Sequence, residues 1–264
     1  MFRLDRDTTY LMPAHFGGDP FDPSYQARQK ARMLTVTFET DRAELERYIP
    51  EELELRAPEV QVALSQLTEI NWLAGGHYNL VSVSAPVRFA GDVDRVDAPY
   101  ALVVWENRTA PILTGREQTG VPKIFADIED LHVHRPHYAT SVSYEGNTFL
   151  TMTFEAGDPL AGADLDRAKA AFGPLDTIGW RYIPKVGAPG ADLSQFILFP
   201  QAMEVDRVYP GTGTLTWTEL SPMQNPRQHH IIRALASLPV KRMIGSMLAE
   251  GEVVLRGAEA RILR

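Results

Sequence analysis

The feature that most limits this chain is a succession of strand-length runs in which apolar residues recur at every second position. Across Arg32 to Thr40, Leu34, Val36 and Phe38 face one way while Thr35, Thr37 and Glu39 face the other, the period of a half-buried strand. Val60 to Ile70, Tyr78 to Phe89, Ile124 to His134, Ala139 to Tyr144, Thr148 to Glu155, Phe196 to Tyr209 and Gly213 to Leu220 also read as strands. Tyr100 to Arg108 opens on a continuous apolar run, as expected of a strand covered on both faces. Helical signals are few. Asp41-Arg42-Ala43-Glu44 resembles a capping box, and the short helix it opens is ended by Pro50. Asp164 to Phe172, with an Asp cap and Gly173 beyond it, and Ile231 to Leu238 fit helices; Met243 to Leu255 fits either type. Residues 1 to 30, rich in Pro, Gly and Asp, read as an irregular arm that packs on the body or meets another subunit. These elements imply a mainly β (α+β) fold: a closed or nearly closed antiparallel β-barrel with a few peripheral helices, in a single domain spanning residues 1–264.

Composition narrows the function. A net charge of -8 and the lack of a basic block give no electrostatic help toward phosphate backbones, so nucleic acid is set aside. The absence of cysteine excludes disulfides, thiol catalysis and zinc–thiolate sites. The charged N-terminus does not fit a signal peptide and no apolar run approaches a membrane span, so a cytoplasmic protein is expected. Without a secretory signal, the sequon Asn107-Arg108-Thr109 is read as chance. His132 and His134 share one face of a strand with His137 nearby, a pattern that suits a metal. Arg135-Pro136 ends that strand and no further ligand is well spaced, so these read as solvated histidines and no metal or other cofactor is assigned. His229-His230, adjacent rather than on one face, reads as surface.

One stretch suggests chemistry: Gly115-Arg116-Glu117-Gln118-Thr119-Gly120-Val121-Pro122-Lys123. Gly120 and Pro122 mark it as a turn between strands. The neighbours of Lys123 are Val121, Pro122, Ile124 and Phe125, with no carboxylate nearer in sequence than Asp127. Apolar surroundings strip hydration from an ammonium group and favour the neutral amine, a nucleophile that forms a Schiff base with a carbonyl. By itself the segment also fits a strand-end lysine reaching to water.

The segment resembles the active site of the acetoacetate decarboxylase family, in which the lysine after the proline forms the Schiff base. Thr40-Asp41 through Pro50-Glu51-Glu52-Leu53-Glu54-Leu55, Gly76-His77-Tyr78-Asn79, Ala85-Pro86-Val87 and Leu238-Pro239-Val240-Lys241 match in the same order. The likeness runs from about Tyr25 to the C-terminus. It implies a cone-like β-barrel with Lys123 inside, and a homo-oligomer. It also shows departures: a second lysine expected after Lys123 is Ile124, two pocket glutamates fall on Ala63 and Leu80, and an arginine falls on Ala31, with Arg32 the nearest candidate.

A protonated imine stores electrons released from a neighbouring C–COO⁻, C–C or C–H bond. With three of four accessory groups apolar, the preferred reading is a Schiff-base lyase. Lys123 captures a small keto acid as an enamine that adds to an aldehyde, or the reverse, with dehydration an option. Glu117, Tyr78, Gln66 and His77 are the proton-transfer candidates, and Arg32 and Arg116 the candidates for holding a substrate carboxylate. Acetoacetate decarboxylation and a non-catalytic ligand-binding barrel are the alternatives.

Overall fold

The computed structural model describes residues 1–264. In chain order the strands are β1 (Thr8–Thr9), β2 (Asp19–Pro20), β3 (Ala27–Glu39), β4 (Leu53–Leu55), β5 (Glu59–Ile70), β6 (Gly76–Ala90) and β7 (Arg95–Glu106). There follow β8 (Lys123–Phe125), β9 (Asp127–Ile128), β10 (His132–His134), β11 (His137–Tyr144), β12 (Asn147–Ala156), β13 (Thr177–Pro184), β14 (Ala191–Phe199), β15 (Gln201–Trp217), β16 (Arg242–Leu255) and β17 (Arg261–Ile262). Four α-helices punctuate them: α1 (Arg42–Glu46), α2 (Thr109–Thr119), α3 (Gly162–Phe172) and α4 (His229–Ala236). The fold is mainly β. The order across the large sheet is β10-β11-β12-β15-β16-β3-β5-β6-β7-β13-β14-β17, with β4 on β6, β8 on β7 and β9 on β11. Every pairing is antiparallel except β7 with β8 and with β13.

The register explains the two-sided burial of the central strands. Leu34, Val36 and Phe38 of β3 line up with Val60, Val62 and Leu64 of β5, then with Val81 and Val83 of β6 and Val103 and Trp105 of β7, on one face. Trp105 is completely buried there, beside Phe149 and Trp217. The opposite face is covered too. Ala31, Leu67, Tyr78, Val208 and Ala249 form a second core on which Leu165, Ala168 and Phe172 of α3 pack. Thr35, on the polar side of β3's alternation, is therefore buried. An apolar side chain buried on either face stabilises by about 1.5–3 kcal/mol, which is why both faces of these strands tolerate few polar groups.

Several sequence expectations need correction. Gly115 to Lys123 is not a strand-to-strand turn: α2 runs to Thr119 and Gly120 caps it with φ 67°. Pro111 lies in the first turn, where its missing N–H costs nothing, and a Cβ at Gly120 would strike the Arg181 backbone. Ile124 to His134 is three short strands, because β8 pairs with β7 whereas β9 and β10 pair with β11. Pro200 divides the expected Phe196–Tyr209 strand, and β13 went unread in the sequence. α3 begins at Gly162 behind Ala161, which gives no side-chain cap, and Asp164 sits inside the first turn. Met243 to Leu255 is strand. The Asp41 cap is as expected, accepting from the amides of Ala43 and Glu44. No helix is long and apolar enough to cross a membrane.

Candidate functional site

Lys123 opens β8 and pairs in register with Val104 of β7, so its side chain shares the face of Val104 and, two residues on, Glu106. Three contacts fix the strand's start. The Val104 amide donates to Pro122 O (3.1 Å), the Val121 amide to Gly115 O (3.1 Å), and Arg116 Nη1 to Lys123 O (3.0 Å). From the first core, Trp105 Nε1 donates to Gln228 Oε1 at 2.9 Å, and Gln228 Nε2 donates to Phe125 O at 2.8 Å, which ties β8 to the start of α4.

The lysine side chain runs back beneath α2. A Cβ on Gly115 would lie 2.5 Å from Lys123 Cδ and Cε, so this glycine gives the stem its path. At its end, Nζ donates to Pro111 O (3.2 Å) and closes to 2.8 Å on Glu106 Oε1. The Lys123 side chain is 15% exposed and that of Glu106 not at all. No other group donates a hydrogen bond to either Glu106 oxygen. Burial pushes the Glu106 carboxyl above its ordinary value, and the Lys123 charge opposes that shift. The site is thus an amine and a carboxylate sharing a buried contact, rather than an amine in purely apolar surroundings.

Glu106 was missed in the sequence because its distance along the chain from Lys123 hides the pairing of β7 with β8. The signal was an acidic residue closing a run buried on both faces, two positions from Val104. Leu80, where a family glutamate would fall, is the direct cross-strand partner of Glu106.

The other candidates are dispersed. Tyr78 lies on the Lys123 face, 2% exposed; burial raises its phenol far above the ordinary value, the Glu106 charge adds to this, and Gln29 opposes it. Gln66 pairs with Asn79 and Arg32, one residue out of phase with Leu67 and Tyr78, and therefore faces the other way. Arg32 is on that opposite face too, half exposed and paired with Glu250 at 3.3 Å. Ala31, not Arg32, faces the lysine side. His77 is exposed at the start of β6, and Glu117 lies on α2, half-buried. Arg116 reaches the Lys123 backbone carbonyl but not its amine. His132, His134 and His137 are exposed; His134, His137 and Glu155 stand opposite one another on adjacent strands. No three His, Asp or Glu side chains are grouped to hold a metal ion.

Known proteins share this fold. The sequence model of the family described as acetoacetate decarboxylase (ADC) matches residues 11–259. An acetoacetate decarboxylase of Burkholderia ambifaria is 25% identical over 240 residues, covering 90% of this chain and 88% of its own. One from Acidiphilium cryptum is 32% identical over 121 residues, 46% of each chain. Among solved structures, acetoacetate decarboxylase from Legionella pneumophila superposes with a TM-score of 0.73 at 17% identity, covering 94% of this chain and 92% of its own. The enduracididine biosynthesis enzyme MppR, complexed with pyruvate, gives 0.67 at 13% identity, with 91% of each chain covered. The fold is that of these proteins, and the chain belongs to the acetoacetate decarboxylase family.

Proposed function

We propose that this protein is a lysine Schiff-base lyase in which Lys123 captures a small keto acid as an imine and, through the enamine, makes or breaks a C–C bond with an aldehyde. The observation that carries this reading is the contact of the Lys123 amine with the fully buried Glu106. Loss of a carboxylate from an imine needs only an electron sink, whereas forming an enamine from a methyl or methylene group needs a base beside the imine. Ile124 in place of a second lysine removes the like-charge effect that would otherwise favour a neutral amine. For the substrate carboxylate we favour Arg116, whose guanidinium donates to the Lys123 backbone carbonyl. The crystallised condensation product of pyruvate and imidazole 4-carboxaldehyde on MppR gives the aldol reading a precedent in the fold.

Acetoacetate decarboxylation is the second reading, favoured by what the curated relatives are called. The two separate in one assay. The protein is incubated with pyruvate plus an aldehyde and, separately, with acetoacetate, and condensation product and carbon dioxide are measured. The aldol reading expects Lys123-dependent condensation without carbon dioxide release; Lys123-dependent release from acetoacetate would replace it with decarboxylation. Lys123→Ala abolishes whichever activity is present.

The functional form we propose is a single-domain homo-oligomer. In its support, residues 1 to 26 form their own small hairpin and expose Met12, Phe16 and Phe21, which are 79%, 83% and 58% accessible in the single chain.

A further inference from the structure

We propose that Glu106 is the acid–base group of the Lys123 reaction, with one carboxylate oxygen serving the nitrogen and the other the substrate's α-carbon. The proposal rests on the Schiff-base reading above. Glu106 is the carboxylate in contact with the amine, its side chain is completely buried, and neither oxygen is held by another donor. A buried carboxylate without backbone or side-chain donors is costly as a purely structural group, since its lone pairs lose water and gain only the lysine. The other candidates are worse placed. Gln66 faces away, His77 is exposed in a turn, and the Tyr78 phenol, though on the same face, holds its proton too firmly to act as a base.

The geometry supports a complete proton cycle. The Lys123 ammonium gives a proton to Oε1, and the nitrogen lone pair attacks the substrate carbonyl carbon while the C=O π pair moves to oxygen. A proton passes from nitrogen to that oxygen, giving a carbinolamine. Glu106 then returns its proton to the hydroxyl, which leaves as water with the C–O pair as the nitrogen lone pair closes C=N. The regenerated carboxylate keeps one oxygen at the iminium N–H. The α-carbon is two bonds from Nζ, and in the proposed cycle the second oxygen of the same carboxylate takes its hydrogen. When that hydrogen is taken, the C–H pair becomes C=C and the C=N π pair settles on nitrogen. After the enamine carbon attacks an aldehyde, Glu106 gives the proton to the new alkoxide, and water releases the product from Lys123.

The test compares wild type, Glu106→Gln, Glu106→Asp and Lys123→Ala, with pyruvate in heavy water as the probe. Deuterium entering the methyl group is followed by mass spectrometry, and the imine is trapped at equilibrium with borohydride. Glu106→Gln is expected to keep the trapped adduct on Lys123 while exchange falls about 10²–10⁴-fold, the usual range for a lost general base. Glu106→Asp, which keeps a carboxylate on a shorter arm, should recover part of the rate. A Glu106→Gln protein that forms the adduct and exchanges at the wild-type rate overturns the assignment, as does a Glu106→Asp protein no faster than Lys123→Ala despite forming the adduct. A wild type with no adduct overturns the Schiff-base reading itself, and this proposal with it. A purely structural role for Glu106 would lower adduct and exchange together, leaving their ratio unchanged.

Discussion

Gly115 shows how closely a single backbone position governs the lysine. Its missing side chain is the space that the Lys123 stem occupies, and an alanine there would sit 2.9 Å from the amine itself. In the helix alone, Gly→Ala is favourable by roughly 0.5–1 kcal/mol, and the obstructing atoms belong to a flexible side chain. Gly115→Ala should therefore fold with a melting temperature within a few degrees of wild type, yet push Nζ off Glu106. Because a 1 Å misplacement of a reacting group can cost on the order of 10²-fold, the rate of imine formation is expected to fall by about that factor. Rapid-quench borohydride trapping beside a thermal melt measures both. Substrate-carboxylate binding is less evident at this scale, since Arg32 turns toward Glu250 on the far face, and only Arg116 stays near the lysine.

Elements carry the acid sensitivity of the fold. Asp41 caps α1 and accepts from Lys241 Nζ at 2.7 Å, joining the helix to the start of β16. The Lys241 hydrogen bond first, and then the helix amides, hold its carboxyl below the ordinary value. Asp94 is lowered by the Arg264 amide and then Arg261, and Glu252 by Arg28 with help from Lys30. A lowered folded value means stability that is present above the unfolded value and lost as pH falls through the folded one, from about pH 5 downward. Glu106 has the opposite sign: its raised folded value favours the fold at low pH, and that contribution is lost as pH rises through the folded value. Asp41→Asn with Asp94→Asn keeps a capping side chain at position 41 but removes two titrations. The doubly substituted protein should lose less melting temperature than wild type between about pH 5 and pH 3; an equal loss in both would show that these carboxylates do not drive the acid response.

Most of the element types were legible because they follow the two-residue period, as in β3, β5 and β6. α2 was not. Gly115 and Gly120 carry the composition of a turn, but one gives room to a lysine and the other ends a helix against Arg181. The pairing of β7 with β8 brings Glu106 to Lys123, and strand pairing of this kind is a long-range property with no local mark.

On the scale of the whole molecule, the sheet presents Lys123 on a face covered by α2, while the arm of residues 1 to 26 makes little use of the body. The Tyr25 hydroxyl and the Gln26 carbonyl meet Asn71, but Phe16 and Phe21 face outward. If the arm is a subunit contact, removal of residues 1 to 24 should shift the protein to a smaller assembly by light scattering, with circular dichroism preserved. An unchanged mass would deny the arm that role. The central claim concerns Lys123, and it is tested most directly by borohydride reduction in the presence of pyruvate, followed by peptide mass mapping. The chain has five lysines: Lys30, Lys123, Lys169, Lys185 and Lys241. The account predicts a reduced adduct on Lys123 alone, absent from Lys123→Ala; no adduct, or one distributed over the exposed lysines with Lys123 untouched, would contradict it.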